Sequence, residues 1–373
     1  METQAREERT EAAKPAKPAR THRRLLAGLL VLVAVAVAVV WSPSSSGHPL
    51  EVAAVAEAGT IPQSHDWFRD GGQSALVGGR ILWVFGDTLF RTADEEGSHL
   101  RSNTSARSDP DDPFRLDDPV TDQGLPVQFI PFDDLEAEYN HLSGRPDDRI
   151  AVWPTSVLAM PDGSAVVFYR EVKVSPGALN LDVLASGVAT VAPGAVTAVR
   201  DPGLLFSEPD PVFSAGAALA DGQVYLYGCA RIEGPRFGCR VARAPLGGIH
   251  DRSAYEFWDG TEWTDDAGRA VFVLDGPSGG PSVSWNPWLE KYLAVYTLGL
   301  TNRVMMRTAD RPEGPWSEPV EAFVGAPTEG AFNYAAFEHP ELAREEGRVV
   351  TITYFHPLGG FRGEFRIVRV RFA

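Results

Sequence analysis

One pattern occurs five times in the second part of this chain. Each copy has a stretch of small residues, then a turn that usually contains glycine, then a strand of alternating aromatic and aliphatic residues. The copies begin at Ser74, Ser156, Ala217, Ser282 and Tyr334. The chain after the apolar N-terminal run provides about 65 residues per copy, enough for a blade of four short strands. Helix-like periodicity is nearly absent, so the sequence predicts an all-β fold, a five-bladed β-propeller.

The repeated hairpins also set the expected domain organisation. Residues 42–59 are expected to form a tether and a ring-closing strand, the latter near 49–55, and residues 60–373 the propeller. The blades are expected near residues 61–108, 151–199, 203–246, 272–322 and 325–373. Residues 109–149 are rich in Pro and Asp and form a long excursion between the first two hairpins. A connection of that length in a compact domain is usually functional or disordered.

The N-terminal residues predict export. Residues 1–24 are polar and basic, and residues 25–41 carry no charge over a length at the lower limit for a membrane-spanning helix. The basic flank favours a cytoplasmic N-terminus with the rest of the chain outside. We therefore expect a signal anchor in the cell membrane, and a cleaved signal peptide with a secreted domain is the alternative.

The charge of the chain limits the classes of molecule that it can bind. The 373 residues carry a formal net charge of −16, and residues 1–24 hold seven Lys or Arg against four Asp or Glu, so the remainder carries −19. Such a field repels nucleic acid and anionic lipid but leaves a neutral glycan unaffected; solubility alone would also explain it. The expected partners are a polysaccharide and, through residues 25–41, the membrane, and a closed ring is expected to be a monomer.

The chain has two cysteines, Cys229 and Cys239, on either side of a predicted Glu-Gly-Pro turn. In an oxidising compartment we expect them to form a structural disulfide. A nucleophilic cysteine is the weaker alternative, because no histidine is fixed beside either residue in the sequence. Zinc, P-loop, dinucleotide and G-x-S-x-G motifs are missing from the sequence, so no cofactor is expected. A single cation in the funnel, such as calcium, is compatible with the sequence but not specified by it.

Two aspartates are the predicted catalytic residues. Asp70 stands immediately before an inner strand and is followed by two glycines, which let a ligand approach the backbone closely. A turn-capping role is its alternative. Asp87 follows Phe85 and Gly86 at the end of the second strand, on the apolar face, where a carboxylate needs a partner or a raised pKa. A buried structural role is the alternative for Asp87.

Further polar and aromatic residues near the predicted strand starts are candidates for substrate binding. They are Asn103, Trp153, Glu208, Asp210, Trp285, Glu329 and Asn333. We expect the acids at the mouth of the funnel, because a charge that faces the axis without a role is costly, and Asn103 is a further polar candidate for the funnel. The tryptophans could stack on sugar rings. Turn formation and blade core are the respective alternatives.

Several motifs resemble a known family. They are DGGQS at 70–74, LWVFGDT at 82–88, SNTSA at 102–106, VARAPLGGI at 241–249 and YEFWDGTEW at 255–263. Together they resemble the family long named DUF4185, members of which are assigned as endo-D-arabinanases that cut mycobacterial cell-wall arabinan. The segment RTADRPEGPW at 307–316 is similar to the blade motif of other furanosidase propellers. The resemblance implies a glycoside hydrolase in which Asp70 and Asp87 are the matching acids.

Glycosidic cleavage requires a protonated carboxyl and a second carboxylate that acts as base or nucleophile. Asp70 and Asp87 are the pair expected to supply them, acting on a furanose polymer, most specifically D-arabinan. A non-catalytic glycan-binding propeller and an envelope scaffold are the alternatives, because a fold does not imply catalysis.

Overall fold

The computed structural model describes residues 47–177, 179–359 and 362–373. They form five antiparallel sheets whose innermost strands contact one another around a ring, the β-propeller that the sequence predicts. The predicted cytoplasmic tail (1–24), the predicted anchor (25–41) and the beginning of the tether lie outside the described residues. Within the described residues, no helix has the length and apolar character needed to span a membrane.

In each blade the principal strands follow the order of the chain from the propeller axis outward, and β1 is the exception described below. The described chain opens with β1 (Val52–Ile61), after which the first blade contains β2 (Trp67–Val77), β3 (Arg80–Phe90), β4 (Leu100–Arg101), β5 (Thr104–Asp109) and β6 (Asp112–Asp117). The helix α1 (Asp134–Ser143) precedes the second blade, which contains β7 (Arg149–Ala159), β8 (Ala165–Val174), β9 (Leu181–Val191), β10 (Val199–Arg200) and β11 (Phe206–Ser207).

The other three blades are built in the same way. The third contains β12 (Gly216–Ala220), β13 (Gln223–Glu233), β14 (Arg236–Pro245), β15 (Glu256–Trp258), β16 (Trp263–Thr264) and β17 (Leu274–Asp275), with short 3-10 helices at Leu246–Gly248, Arg252–Ala254 and Ala267–Arg269. The fourth contains β18 (Ser282–Asn286), β19 (Lys291–Thr297), β20 (Arg303–Ala309) and β21 (Val320–Val324). The fifth contains β22 (Tyr334–Glu338), a 3-10 helix at Pro340–Leu342, β23 (Val349–Gly359) and β24 (Arg362–Phe372).

Strand β3 shows why a nearly continuous apolar run forms a blade here. Its residues 81–85 are all buried, because neighbouring blades cover both faces of the sheet. Leu82 and Val84 pack with the second blade, whereas Ile81, Trp83 and Phe85 pack with the fifth. Side chains that alternate between two faces thus fill two inter-blade cores, and each fully buried side chain of this size contributes about 1.5–3 kcal/mol.

The ring is closed by the two ends of the described chain. Strand β1 pairs antiparallel with β24, from Val52 opposite Phe372 to Ile61 opposite Phe365. The fifth blade therefore has the order β22, β23, β24, β1 from the axis outward. The closing strand was expected at 49–55; it begins three residues later and is longer.

The excursion between the first two blades is more ordered than the sequence suggested. It contains β6 and α1, and α1 begins with a capping box in which Asp133 Oδ1 accepts from the backbone N–H of Glu136 at 2.8 Å, and Glu136 Oε2 accepts from that of Asp133 at 2.9 Å. Two orphan N–H groups of the helix N-terminus are satisfied in this way. The excursion leads directly into β7 and so determines where Arg149 lies.

The two cysteines are joined. Cys229 of β13 and Cys239 of β14 lie opposite each other in one hairpin and form a disulfide. The bond links two strands that are already paired, so it restrains a local hairpin and does not connect blades.

Candidate active site

Asp70 is positioned by an irregular stretch of β2. The pairing of β2 with β3 is shifted on both sides of Gly71, which has a φ of +75° that favours glycine. The irregularity brings the Asp70 carboxylate against β3, where a Cβ on Gly86 would lie 2.6 Å from Asp70 Oδ1. Glycine at position 86 is therefore required for this approach.

The carboxyl of Asp70 has a neutral partner. The hydroxyl of Tyr334, from β22 in the fifth blade, donates to Asp70 Oδ2 at 3.0 Å. Burial, reinforced by the charge of Asp87, raises the pKa of Asp70 to about 7, although Tyr334 and the charge of Arg149 oppose the rise. Asp70 is thus able to hold a proton near neutral pH.

Asp87 has a cationic partner. It lies near the end of β3 and forms an ion pair with Arg149 Nη2, while Trp153 Nε1 donates to Asp87 Oδ1 at 2.9 Å. The side chain of Asp87 is 17% exposed and that of Arg149 is 9% exposed, so the pair is only slightly open to solvent. Burial raises the pKa of Asp87, and Arg149 and Trp153 oppose that rise. Of the two acids, Asp87 is the one that is paired with a cation, which favours its charged form against the effect of burial.

Three blades meet at this pair. Both acids come from the first blade, Arg149 and Trp153 from the start of β7 in the second, and Tyr334 from the start of β22 in the fifth. Sequence reasoning selected Asp70, Asp87 and Trp153 but missed Arg149 and Tyr334. Tyr334 opens the fifth copy of the repeat, so a comparison of strand starts could have found it. The same comparison does not point to Arg149, because the long excursion before it separates it from the preceding hairpin.

Two other predicted residues form no hydrogen bond with the acids. Asn103 is fully buried, and its amide nitrogen donates to the carbonyl of Val152 at 2.8 Å while its oxygen accepts from the N–H of Ile130 at 2.6 Å. It therefore fixes the excursion and offers no group to a ligand. Trp285 is 48% exposed, but it is the fourth residue of β18, next to the turn into β19 and thus at the opposite end of its blade.

The predicted acids of the third blade do not occupy the position of Asp70. The inner strand β12 begins only at Gly216, so Glu208 and Asp210 lie in the connection that follows β11. Glu208 is exposed, and Asp210 forms an ion pair with Arg252 at 2.6 Å. The proline-flanked motif was wrongly aligned with the strand start, because the connection is longer than in the first blade.

Two predicted residues of the fifth blade lie in the connection before β22. Glu329 is exposed there. Asn333 is buried, and its amide donates to the carbonyl of Ala326 at 2.8 Å while its oxygen lies 2.9 Å from His356 Nδ1. Asn333 therefore orders this connection, whereas the side chain of Glu329 is open to solvent.

One acidic cluster has the spacing of a metal site. Carboxylate oxygens of Asp133, Glu136 and Glu171 lie within 4.8 Å of one another. Arg200 already bridges two of them, with Nη2 at 3.1 Å from both Glu136 Oε1 and Glu171 Oε1. Burial and the neighbouring Glu136 raise the pKa of Glu171 to about 7. The guanidinium supplies the positive charge that a cation would otherwise bring, so the cluster is satisfied as an ion network.

The described residues thus define a five-bladed β-propeller with a carboxylate pair between its first, second and fifth blades. The model of the family described as "Domain of unknown function (DUF4185)" matches residues 192–356, which confirms the family resemblance over that part of the chain. The matched range includes the motifs at 241–249 and 255–263, whereas those around Asp70 and Asp87 lie before it.

Two solved structures share this fold, and a curated relative matches part of the sequence. A protein of Bacteroides ovatus ATCC 8483, for which a hydrolase activity is only inferred, has 18% identity and a TM-score of 0.59 over 83% of this chain and 87% of that one. Zg3597, a family 117 glycoside hydrolase of Zobellia galactanivorans, has 12% identity and a TM-score of 0.51 over 85% of this chain and 89% of that one. Notoamide biosynthesis cluster protein J' of Aspergillus versicolor is 33% identical over 131 residues. That match covers 34% of this chain and 34% of the relative, so the chain spans about a third of the length of that protein.

Proposed function

We propose that this protein is a glycoside hydrolase that cleaves furanoside polysaccharide, and specifically that it is an endo-D-arabinanase. The observation that carries the proposal is the unequal surroundings of Asp70 and Asp87, one with a phenol and one with a guanidinium. Environments that separate two neighbouring carboxyl groups in this way assign the acid and the base of a hydrolase. The DUF4185 match and the glycoside hydrolase among the similar folds support the class of reaction.

The chemistry follows from the two environments. Asp70 donates its proton to the leaving glycosidic oxygen as the bond to the anomeric carbon breaks. Asp87 acts at the anomeric carbon, either by taking a proton from the attacking water or by direct attack followed by hydrolysis. Arg149 and Trp153 hold the Asp87 carboxylate in place in both cases. The proposal includes an exported location, which the uncharged residues 25–41 support.

The assay is release of reducing ends from purified mycobacterial arabinogalactan. The protein is expected to produce oligosaccharides, and proton NMR of the first products would show whether the anomeric configuration is retained or inverted. Binding of the polymer without new reducing ends, by correctly folded protein, would contradict the hydrolase and favour the glycan-binding alternative. Release of single sugars alone would contradict the endo mode of cleavage.

The pH dependence of kcat/KM is expected to be bell-shaped. Asp70 must be protonated to act as the acid, so activity should fall as pH rises through about 7, the pKa to which burial raises this group. Asp87 must be ionised, so activity should also fall at low pH, as Asp87 is protonated. Rates measured between about pH 4 and 9 on a soluble arabinan oligosaccharide test this profile. A rate that stays constant above pH 8 would exclude Asp70 as the acid.

A further inference from the structure

Arg170 lies on β8, the second strand of the second blade. In β8 it follows the buried Tyr169 and precedes Glu171, as Gly86 of β3 follows Phe85 and precedes Asp87. A Cβ at Gly86 would point at Asp70, so in the first blade a side chain at this position would be directed towards the two candidate acids. Arg170 also lies directly opposite Trp153 in the pairing of β8 with β7.

The guanidinium of Arg170 reaches beyond its own blade. Its Nη2 donates to the carbonyl of Gly279 at 3.3 Å, in the connection that leads from the third blade into the fourth. That connection is fixed, because a Cβ on Gly280 would collide with the carbonyl oxygen of Ala215, next to β12. Arg170 therefore reaches from the second blade to a connection that lies against the start of β12, the innermost strand of the adjoining third blade.

The charge of Arg170 is not compensated. No carboxylate of the described residues lies within ion-pair distance of it, and its Nε is buried without a hydrogen-bond partner. Arg149, by contrast, is paired with Asp87, and Arg200 with Glu171. Burial lowers the pKa of Arg170 to about 10, so the group is still charged at neutral pH. A buried donor without an acceptor is costly, and a ligand oxygen would satisfy the Nε–H of Arg170.

We propose that Arg170 is a substrate-binding residue that donates hydrogen bonds to hydroxyl oxygens of the sugar next to the one being cleaved. This inference rests on the proposed function. Trp153 lies between the candidate catalytic pair and Arg170. Its Nε1 donates to Asp87, and it is the cross-strand neighbour of Arg170. Directly opposed residues are separated by about 5 Å at Cβ, close to the length of one furanose unit.

Hydroxyl oxygens fit better than an anionic group. The chain after residue 24 carries a charge of −19, which disfavours the approach of an anionic polymer. A guanidinium presents two parallel N–H groups that match a pair of adjacent oxygens, which an ammonium cannot reproduce. Arg170 would therefore select the orientation of the sugar chain without taking part in bond cleavage.

The test compares Arg170→Met, Arg170→Lys and the matched control Arg240→Met. Arg240 also donates to a single backbone carbonyl, that of Ala270 at 3.0 Å, but it lies on β14, the third strand of its blade. On arabinan oligosaccharides, Arg170→Met is expected to raise KM about 10- to 100-fold with kcat changed less than about 3-fold. Arg170→Lys should recover little, because the parallel donors are lost. The pH profile and the Arg240→Met kinetics should match the wild type.

Binding of the same oligosaccharides to the Asp70→Asn variant, with and without Arg170→Met, separates the two proposals. A Kd weakened about 10-fold or more by Arg170→Met supports the inference even if the wild type cleaves nothing. Cleavage by the wild type with an unchanged KM in Arg170→Met overturns the inference and leaves the hydrolase standing. Absence of both binding and cleavage in folded wild-type protein overturns both.

Discussion

Asp70→Asn is expected to lower kcat/KM on D-arabinan by at least about 10³-fold, with the fold intact. The amide has the size of the carboxyl and can still meet the Tyr334 hydroxyl, but it cannot transfer a proton to a leaving oxygen. Asp87→Asn is expected to have a loss of the same order, because the second carboxylate is needed at the anomeric carbon. Reducing-end release measures both losses, and circular dichroism with thermal unfolding verifies the fold.

Asp210→Asn is the control for these two variants. Asp210 was a sequence candidate as well, but it is paired with Arg252 in the connection before β12. Its substitution should leave kcat/KM within about 3-fold of the wild type. Full activity in either Asp70→Asn or Asp87→Asn would remove the site assignment, and a large loss in Asp210→Asn would move the site towards the third blade.

Arg149→Met is expected to shift both limbs of the pH profile to higher pH. Arg149 opposes the rise in pKa of Asp87 and also that of Asp70, so removal of its charge lets burial raise both pKa values further. The maximal rate should fall about 10²-fold, because Asp87 loses the partner that orients and ionises it. The free energy of unfolding should fall by about 3–5 kcal/mol at pH 7, the usual cost of leaving a buried charge unpaired.

Arg149→Lys separates charge from geometry in this experiment. It retains the positive charge, so the two limbs should return towards their wild-type positions even if the maximal rate stays low. Arg243→Met, which breaks the more exposed ion pair with Glu256, should change unfolding by less than about 1 kcal/mol. An unshifted profile in Arg149→Met, in protein of normal stability, would show that Arg149 does not control the ionisation of the acids.

The fold could be predicted because its signal is local and repeated. Each blade contains an inner hairpin whose side chains alternate in direction, and this pattern is visible in the sequence. The run at 81–85 is an example. The helix α1 was not predicted, although Asp133 and Glu136 have the spacing of a capping box. Its apolar residues Leu135 and Leu142 are exposed, so the periodicity that normally marks an amphipathic helix is missing.

The sequence predicts only those site residues that lie within one blade. Asp70 and Asp87 come from neighbouring strands of one blade, and both were visible in the sequence. Arg149 and Tyr334 reach them from two other blades, more than sixty residues away in one case and more than two hundred in the other. Which strand start faces which acid depends on the closure of the ring, a property of the whole chain that no local pattern contains.

The pairing of β1 with β24 also sets the order in which this molecule can be completed. The first strand leaves the ribosome some three hundred residues before its partner, Val52 being paired with Phe372. Until then the blades can form their own hairpins, but β1 has no β24 with which to pair. The ring of blades therefore cannot close until β24 has been synthesised.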